Sequence, residues 1–260
     1  MLRILLFLFC PTAAFAEEIP VELRTRVAPF KNQTTTKEVL VSEKLDPSKT
    51  LIVICDMWDK HWCDKATERC GALAAKMEPV LQAARKKGIT IVHAPSDCMA
   101  YYKDSPARKR MLDLPKTKIP VSVNLPDPPC PVDDRDGGCD DPNPVKPYIA
   151  WKRQHPALTV DEAKDYVSAD GSEVYALMQA KNIDTLLMMG VHTNMCVLNR
   201  SFAIKSMTRS GKKCILVRDL TDAMYSPKSS PFVSHEDGTE RIIQFIEQNW
   251  CPTMLSKDLK

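Results

Sequence analysis

Two hydrophobic patterns alternate along the chain. Leu51-Ile52-Val53-Ile54-Cys55 is a continuous apolar run that ends at Asp56. A run this short, with no polar position, predicts a strand buried on both faces. Residues 65–87 follow, with Cys70, Leu73, Met77, Val80, Leu81 and Ala84 at helical spacing. Lys86 and Lys87 suit the helix end and Gly88 its stop. Ile89 to His93 reads as the next strand. The unit then recurs, with a helix from Glu173 to Lys181 and a strand from Asp184 to Met189. A helix from Asn194 to Arg209 stops at Gly211, a strand runs from Cys214 to Val217, and a last helix spans Arg241 to Asn249. Strands alternating with helices predict an α/β three-layer sandwich with a mostly parallel central sheet. In such sheets the active site lies at the carboxyl ends of strands. Asp56 and the segment after Met189 both fall there. Strand order is not contained in the pattern.

Three stretches depart from this rhythm. Residues 17–48 are polar without a strong period and are expected to form an extended N-terminal arm. Residues 113–148 hold many of the prolines and the run CPVDDRDGGCDDPNP, which suits neither a helix nor a central strand. They are expected to form an insertion over the active edge of a domain spanning 49–251, and residues 252–260 a tail. The first 16 residues read MLRILLFLFCPTAAFA: one positive charge, a short apolar run, then Ala-Phe-Ala. This is the layout of a signal peptide cleaved after Ala16, and it predicts a secreted or periplasmic protein. The apolar run is short for a membrane span, a retained N-terminal anchor being the alternative.

The formal net charge of +3 and the lack of a basic run do not suggest nucleic-acid binding. No other stretch is long and apolar enough for a membrane span after signal cleavage. Cysteine changes the picture more. Beyond Cys10 the chain carries Cys55, Cys63, Cys70, Cys98, Cys130, Cys139, Cys196, Cys214 and Cys251. An oxidising compartment would use some of them in disulfides, and the odd number leaves one thiol free or paired between chains. Cys130 and Cys139 flank the acidic turn and could staple it, and Cys63, Cys70, Cys98 and Cys251 could make further bridges; the sequence singles out no pairing among these six. Cys55 and Cys214 lie within apolar strands and read as core thiols.

The sharpest motif is GVHTNMCVLNR, Gly190 to Arg200. It places Cys196 at the first turn of a helix, just past a buried strand. There the helix amides and dipole favour a thiolate and can hold an oxyanion. An ordinary buried cysteine is the alternative on position alone. Likewise Asp56 is read as a base or as a strand-end helix cap.

A strand ending in Asp, then a lysine, then G-V-x-T-x-x-C-V resembles the isochorismatase-like cysteine hydrolases, which include nicotinamidases and N-carbamoylsarcosine amidases. The resemblance covers roughly residues 49–250 and implies their Rossmann-like fold. It also implies a triad of Asp56 as base, Lys152 as cation and Cys196 as nucleophile. Arg153 is the alternative for the lysine position. It further implies a non-proline cis peptide between Val191 and His192 and an oxyanion hole from the amides of His192 and Cys196. The activity implied is hydrolysis of a C–N bond in a small amide through a thioester. Vinyl-ether hydrolysis is the second reading, and a non-catalytic binding protein on the same scaffold the third.

The pocket is expected to draw on Trp58, His61, Trp62, His93, Trp151, Thr193 and Asn194. No cofactor is called for. The segment after the second strand, His93-Ala94-Pro95-Ser96-Asp97, lacks the Asp-x-His spacing of the family's metal site. Asp59 and His61 are the pair by which zinc or another divalent metal could bind. Asp133, Asp134, Asp136, Asp140 and Asp141 surround Gly137-Gly138 and read as a solvated acidic turn rather than a calcium loop. The partners expected are a small-molecule substrate and, by the resemblance, further copies of the chain in a homo-oligomer.

Overall fold

A computed structural model describes residues 17–30, 35–120 and 126–260. The expected signal peptide, 1–16, lies outside the described residues. Eight strands form one sheet. In chain order they are β1 (Ile19–Val27), β2 (Lys37–Leu45), β3 (Thr50–Cys55), β4 (Thr90–Ala94), β5 (Tyr166–Val167), β6 (Thr185–Val191), β7 (Lys213–Asp222) and β8 (Thr253–Met254). The spatial order is β2-β1-β8-β7-β6-β3-β4-β5. All pairs from β8 to β5 are parallel, whereas β1 runs antiparallel to both β2 and β8.

The apolar runs are explained by burial on both faces. Leu51, Val53 and Cys55 of β3 face one core, and Ile52 and Ile54 face the other. β6 divides the same way, with Leu186 and Met188 on one side and Leu187 and Met189 on the other. Each such side chain contributes about 1.5–3 kcal/mol of transfer free energy, so a polar residue on either face would be costly. Helix α1 (Asp64–Lys86) covers one face through Leu73, Met77, Val80 and Leu81. The other face is covered by α3 (Gly171–Ala180), α4 (Cys196–Asn199), α5 (Ile204–Arg209) and α6 (His235–Asn249). A short α2 (Pro106–Leu112) starts at Ser105, whose Oγ accepts the amide of Arg108.

Four expectations change. The 252–260 segment is not a tail: Thr253–Met254 is β8, between β1 and β7 in the sheet, and Leu259 is buried. The 17–48 segment is not a free arm: β1 and β2 form a hairpin that extends the sheet. Arg24 and Arg26 on β1 reach the buried Glu247 carboxylate of α6 at 2.6 and 3.1 Å and tie the hairpin down. The helix read from Asn194 to Arg209 is two short helices, because Arg200 is extended (φ −60°, ψ 154°) and ends α4. The 113–148 insertion has no helix or strand among its described residues, but its acidic turn is not simply solvated. Asp134 accepts from Asn194, Asp136 from Ser229, and Asp140 from Arg69, while Asp141 accepts the amides of Asp64 and Lys65. These carboxylates fasten the insertion to the active edge. Gly138 makes the closest approach: with φ +68°, a Cβ there would lie 2.2 Å from the Met224 carbonyl oxygen.

Candidate active site

Asp56 follows β3 with φ +46° and is fully buried. Aspartate tolerates this left-handed conformation better than most residues. The conformation sets the carboxylate at the carboxyl edge of the sheet, where one oxygen accepts the amide of Ser96 at 2.7 Å. Beside β3, Gly190 of β6 brings the second half of the site close. It has φ +118°, and a Cβ would lie 2.0 Å from the carbonyl oxygen of Cys55, so only glycine fits. One residue further on, the Val191–His192 peptide bond is cis. The chain then turns through Thr193 to Met195 and starts α4 at Cys196.

The thiol of Cys196, half-buried, is hydrogen-bonded to Asp56. Burial, and then the Asp56 charge, push this thiol up to about 12, while the Arg200 charge and a hydrogen bond from the His192 backbone pull the other way. Burial also raises the Asp56 pKa above the ordinary carboxylate value, opposed by Arg200, Cys196 and Ser96. The proton therefore rests on sulfur, with a base of raised affinity beside it. Cys196 is the first residue of α4, so its amide has no partner within that helix. The His192 backbone amide is hydrogen-bonded to the sulfur.

The cation beside this pair is Arg200. Its Nε donates to Asp56 Oδ2 at 2.9 Å and its Nη2 to Asp97 at 3.2 Å. Lys152 is exposed, and its backbone amide is held by Asp59 at 3.0 Å. Arg153 turns toward Tyr101 and Asp59. Of the expected Asp56–Lys152–Cys196 set, Asp56 and Cys196 lie together, and the cation bonded to Asp56 is Arg200, four residues after the cysteine, while the Lys152 side chain is exposed. Arg200 lies just past the end of α4 on extended backbone, so its reach to Asp56 depends on a break in the helix that the sequence pattern does not show.

The expected pocket residues divide. Trp58 and Trp151 stack at 4.0 Å between ring centroids, His61 stacks on Trp151 at 5.6 Å, and His192 meets His61 edge-on at 5.0 Å. Burial lowers the pKa of His61 to about 4 and that of His192 to about 3, so both rings are neutral near pH 7. Trp58 Nε1 donates to the Ser96 carbonyl, whereas Trp151 Nε1 is buried without a partner among the described residues. Trp62 packs behind this wall, against Gly137 of the insertion.

The other three do not line it. His93 is fully buried between Gln154 and Asp165, at 2.8 and 3.0 Å, and fixes β4 to the 154–165 segment. Thr193 bonds Thr221 at 2.7 Å, and Asn194 bonds both backbone groups of Met224. They brace the cysteine loop against β7 and the segment that follows it. Asp59 Oδ1 accepts the amides of Lys152 and Arg153, and His61 Nδ1 accepts the amide of Cys63.

No family profile and no curated protein matches the chain. Among solved structures, a cysteine hydrolase from Pseudomonas syringae pv. phaseolicola 1448A superimposes with a TM-score of 0.52 at 17% identity, over 83% of this chain and 92% of that one. An isochorismatase from Pseudomonas putida KT2440 aligns with a TM-score of 0.48 at 14% identity, over 82% of this chain and 91% of that one. At such identities the likeness is one of fold: the chain carries the α/β fold of the isochorismatase-like cysteine hydrolases.

Proposed function

We propose that the protein is a cysteine hydrolase that cleaves a C–N bond of a small amide through a thioester on Cys196. The observation that carries this reading is the Cys196 thiol held on the buried Asp56 carboxylate, whose other side is fixed by Arg200. As sulfur attacks the amide carbonyl, Asp56 takes its proton. The amides of His192 and Cys196 face the oxygen on which charge develops. Asp56 then protonates the departing amine or ammonia. Water enters, Asp56 takes one of its protons, and hydroxide attack releases the acid and restores the thiol. An arginine does not give up its proton at working pH. Asp56 is therefore the sole proton carrier, and Arg200 acts by charge and position.

The wall of Trp58, Trp151 and neutral His61 suits a flat, uncharged group next to the scissile amide, with Trp151 Nε1 as a free donor to it. Export after cleavage at Ala16 belongs to the same proposal and rests on the sequence of residues 1–16. A screen of small carboxamides for ammonia release tests the reading. Activity on at least one aryl or heteroaryl amide, lost in Cys196→Ala, is expected. Equal activity of Cys196→Ala on that substrate would overturn the covalent mechanism.

A further inference from the structure

All nine cysteines among the described residues are free thiols. Two of them meet away from Cys196. Cys63 sits at the N-terminus of α1 and is fully buried, and Cys139 comes from the insertion and is 6% exposed. Their sulfurs and a carboxylate oxygen of Asp141 all lie within 4.8 Å of one another. Cys139, whose pairing the sequence leaves open, faces Cys63, and Cys130 is exposed. We propose that Cys63, Cys139 and Asp141 bind a thiophilic divalent cation of the zinc class, which clips the insertion to α1 behind the aromatic wall.

Two thiolates and a carboxylate are a sulfur-rich donor set of the kind zinc prefers. Tetrahedral zinc holds two sulfurs about 3.8 Å apart at bond lengths of about 2.3 Å. The observed spread is thus closed by small side-chain rotations. Charge also fits. Two thiolates, one carboxylate and a divalent ion leave one net negative charge; Asp140, 3.8 Å from the Cys63 sulfur, adds another, and positive groups surround them. These groups are the N-terminus of α1, Arg69 bonded to Asp140 at 2.9 Å, and Lys65 Nζ 3.8 Å from Asp140. The fourth position is left for water. A disulfide would use the same two sulfurs; the metal site differs in also engaging the Asp141 carboxylate, which is hydrogen-bonded to both thiols as well as to the Asp64 and Lys65 amides. Binding displaces both thiol protons to solvent and forms two metal–sulfur bonds, with no change of oxidation state.

The test is cobalt(II) loading of the reduced full-length protein in a Cys196→Ala background, which removes the half-buried thiol of the candidate active site. One cobalt per chain, with a near-ultraviolet thiolate-to-cobalt band, is expected. The band should be lost or at least halved in Cys63→Ser and in Cys139→Ser, and Asp141→Asn should weaken binding at least tenfold. Zinc should also raise the thermal midpoint of the protein with its native cysteines, a readout that does not depend on variants that may misfold. Absence of a thiolate band, or an unchanged band in both serine variants, would overturn the proposal. So would recovery of a Cys63–Cys139 cross-linked peptide from the unreduced protein. None of these readouts depends on hydrolase activity.

Discussion

Arg200 Nε lies 2.9 Å from Asp56 Oδ2, on the carboxylate that also accepts the Cys196 thiol. A buried carboxylate that loses the cation paired with it is left costly, by about 3–5 kcal/mol. Arg200→Gln is therefore expected to lower kcat/KM by about 100-fold or more and to reduce folding stability. Arg200→Lys should recover part of the activity, since it restores charge but not the guanidinium geometry. Lys152→Ala should change kcat/KM by less than about threefold, as expected of a solvated side chain. Steady-state kinetics on the three variants check this, and a larger loss in Lys152→Ala than in Arg200→Gln would return the cation role to Lys152.

The acid limb of the pH–rate profile should report Asp56, which must be ionised to take the thiol proton. Burial raises its pKa, so the limb is expected above the ordinary aspartate value of about 4. The Arg200 charge opposes that rise, so the limb should move to still higher pH in Arg200→Gln. The stability effect has the opposite sense to catalysis. With the folded pKa raised, the contribution of Asp56 is full below its unfolded value and is lost as pH rises through the folded one. Profiles of kcat/KM and urea midpoints across the acid range check both.

His235 gives a second pH signature at the far end of the site. Its Nε2 is 2.9 Å from Asp222 Oδ1, and Arg69 holds the other oxygen of Asp222 at 2.9 Å. Burial lowers the His235 pKa, but the hydrogen bond and charge of Asp222 outweigh it, and the net shift is upward from 6.5. Its contribution to stability is present below that ordinary value and is lost as pH rises through the raised one. His235→Gln should flatten the fall of the urea midpoint on the alkaline side. An identical fall in the variant would rule His235 out as its source.

Glycines at left-handed positions should not be equivalent. Gly138→Ala meets the Met224 backbone at 2.2 Å, in the segment that holds Asn194 and the cysteine loop. It is expected to cost about 2–4 kcal/mol and to lower kcat as well. Gly211 also has positive φ, +84°, but nothing lies within 4 Å of the place a methyl group would take. Gly211→Ala should cost only about 1–2 kcal/mol, the backbone term alone. Thermal melts of the pair check the difference.

The central strands were legible because both their faces are buried: Leu51 to Cys55 and Thr185 to Val191 have no exposed position to interrupt the run. The ends of strands beside Asp56 and Cys196 were legible for the same reason, since apolar runs stop where the sheet meets the site. The hairpin was harder. Ile19, Val21 and Leu23 do alternate inward, but Arg24 and Arg26 then break the pattern because their partner, Glu247, lies on α6. Strand β2 is exposed at most positions and carries no alternation to read. Arg200 was missed because the extended backbone that ends α4 is a tertiary feature. Gly171 of α3 packs against Ser201 there and donates its amide to Ser201 Oγ at 2.9 Å. His93, Thr193 and Asn194 lie where pocket residues were expected, but long-range hydrogen bonds claim their side chains.

The most direct test of the account is mass spectrometry of the enzyme acid-quenched during turnover of an amide substrate. The account predicts an acyl group on the peptide that carries Cys196, absent in Cys196→Ala and formed far more slowly in Asp56→Asn. An unmodified Cys196 peptide during rapid turnover, together with an active Cys196→Ala variant, would contradict it.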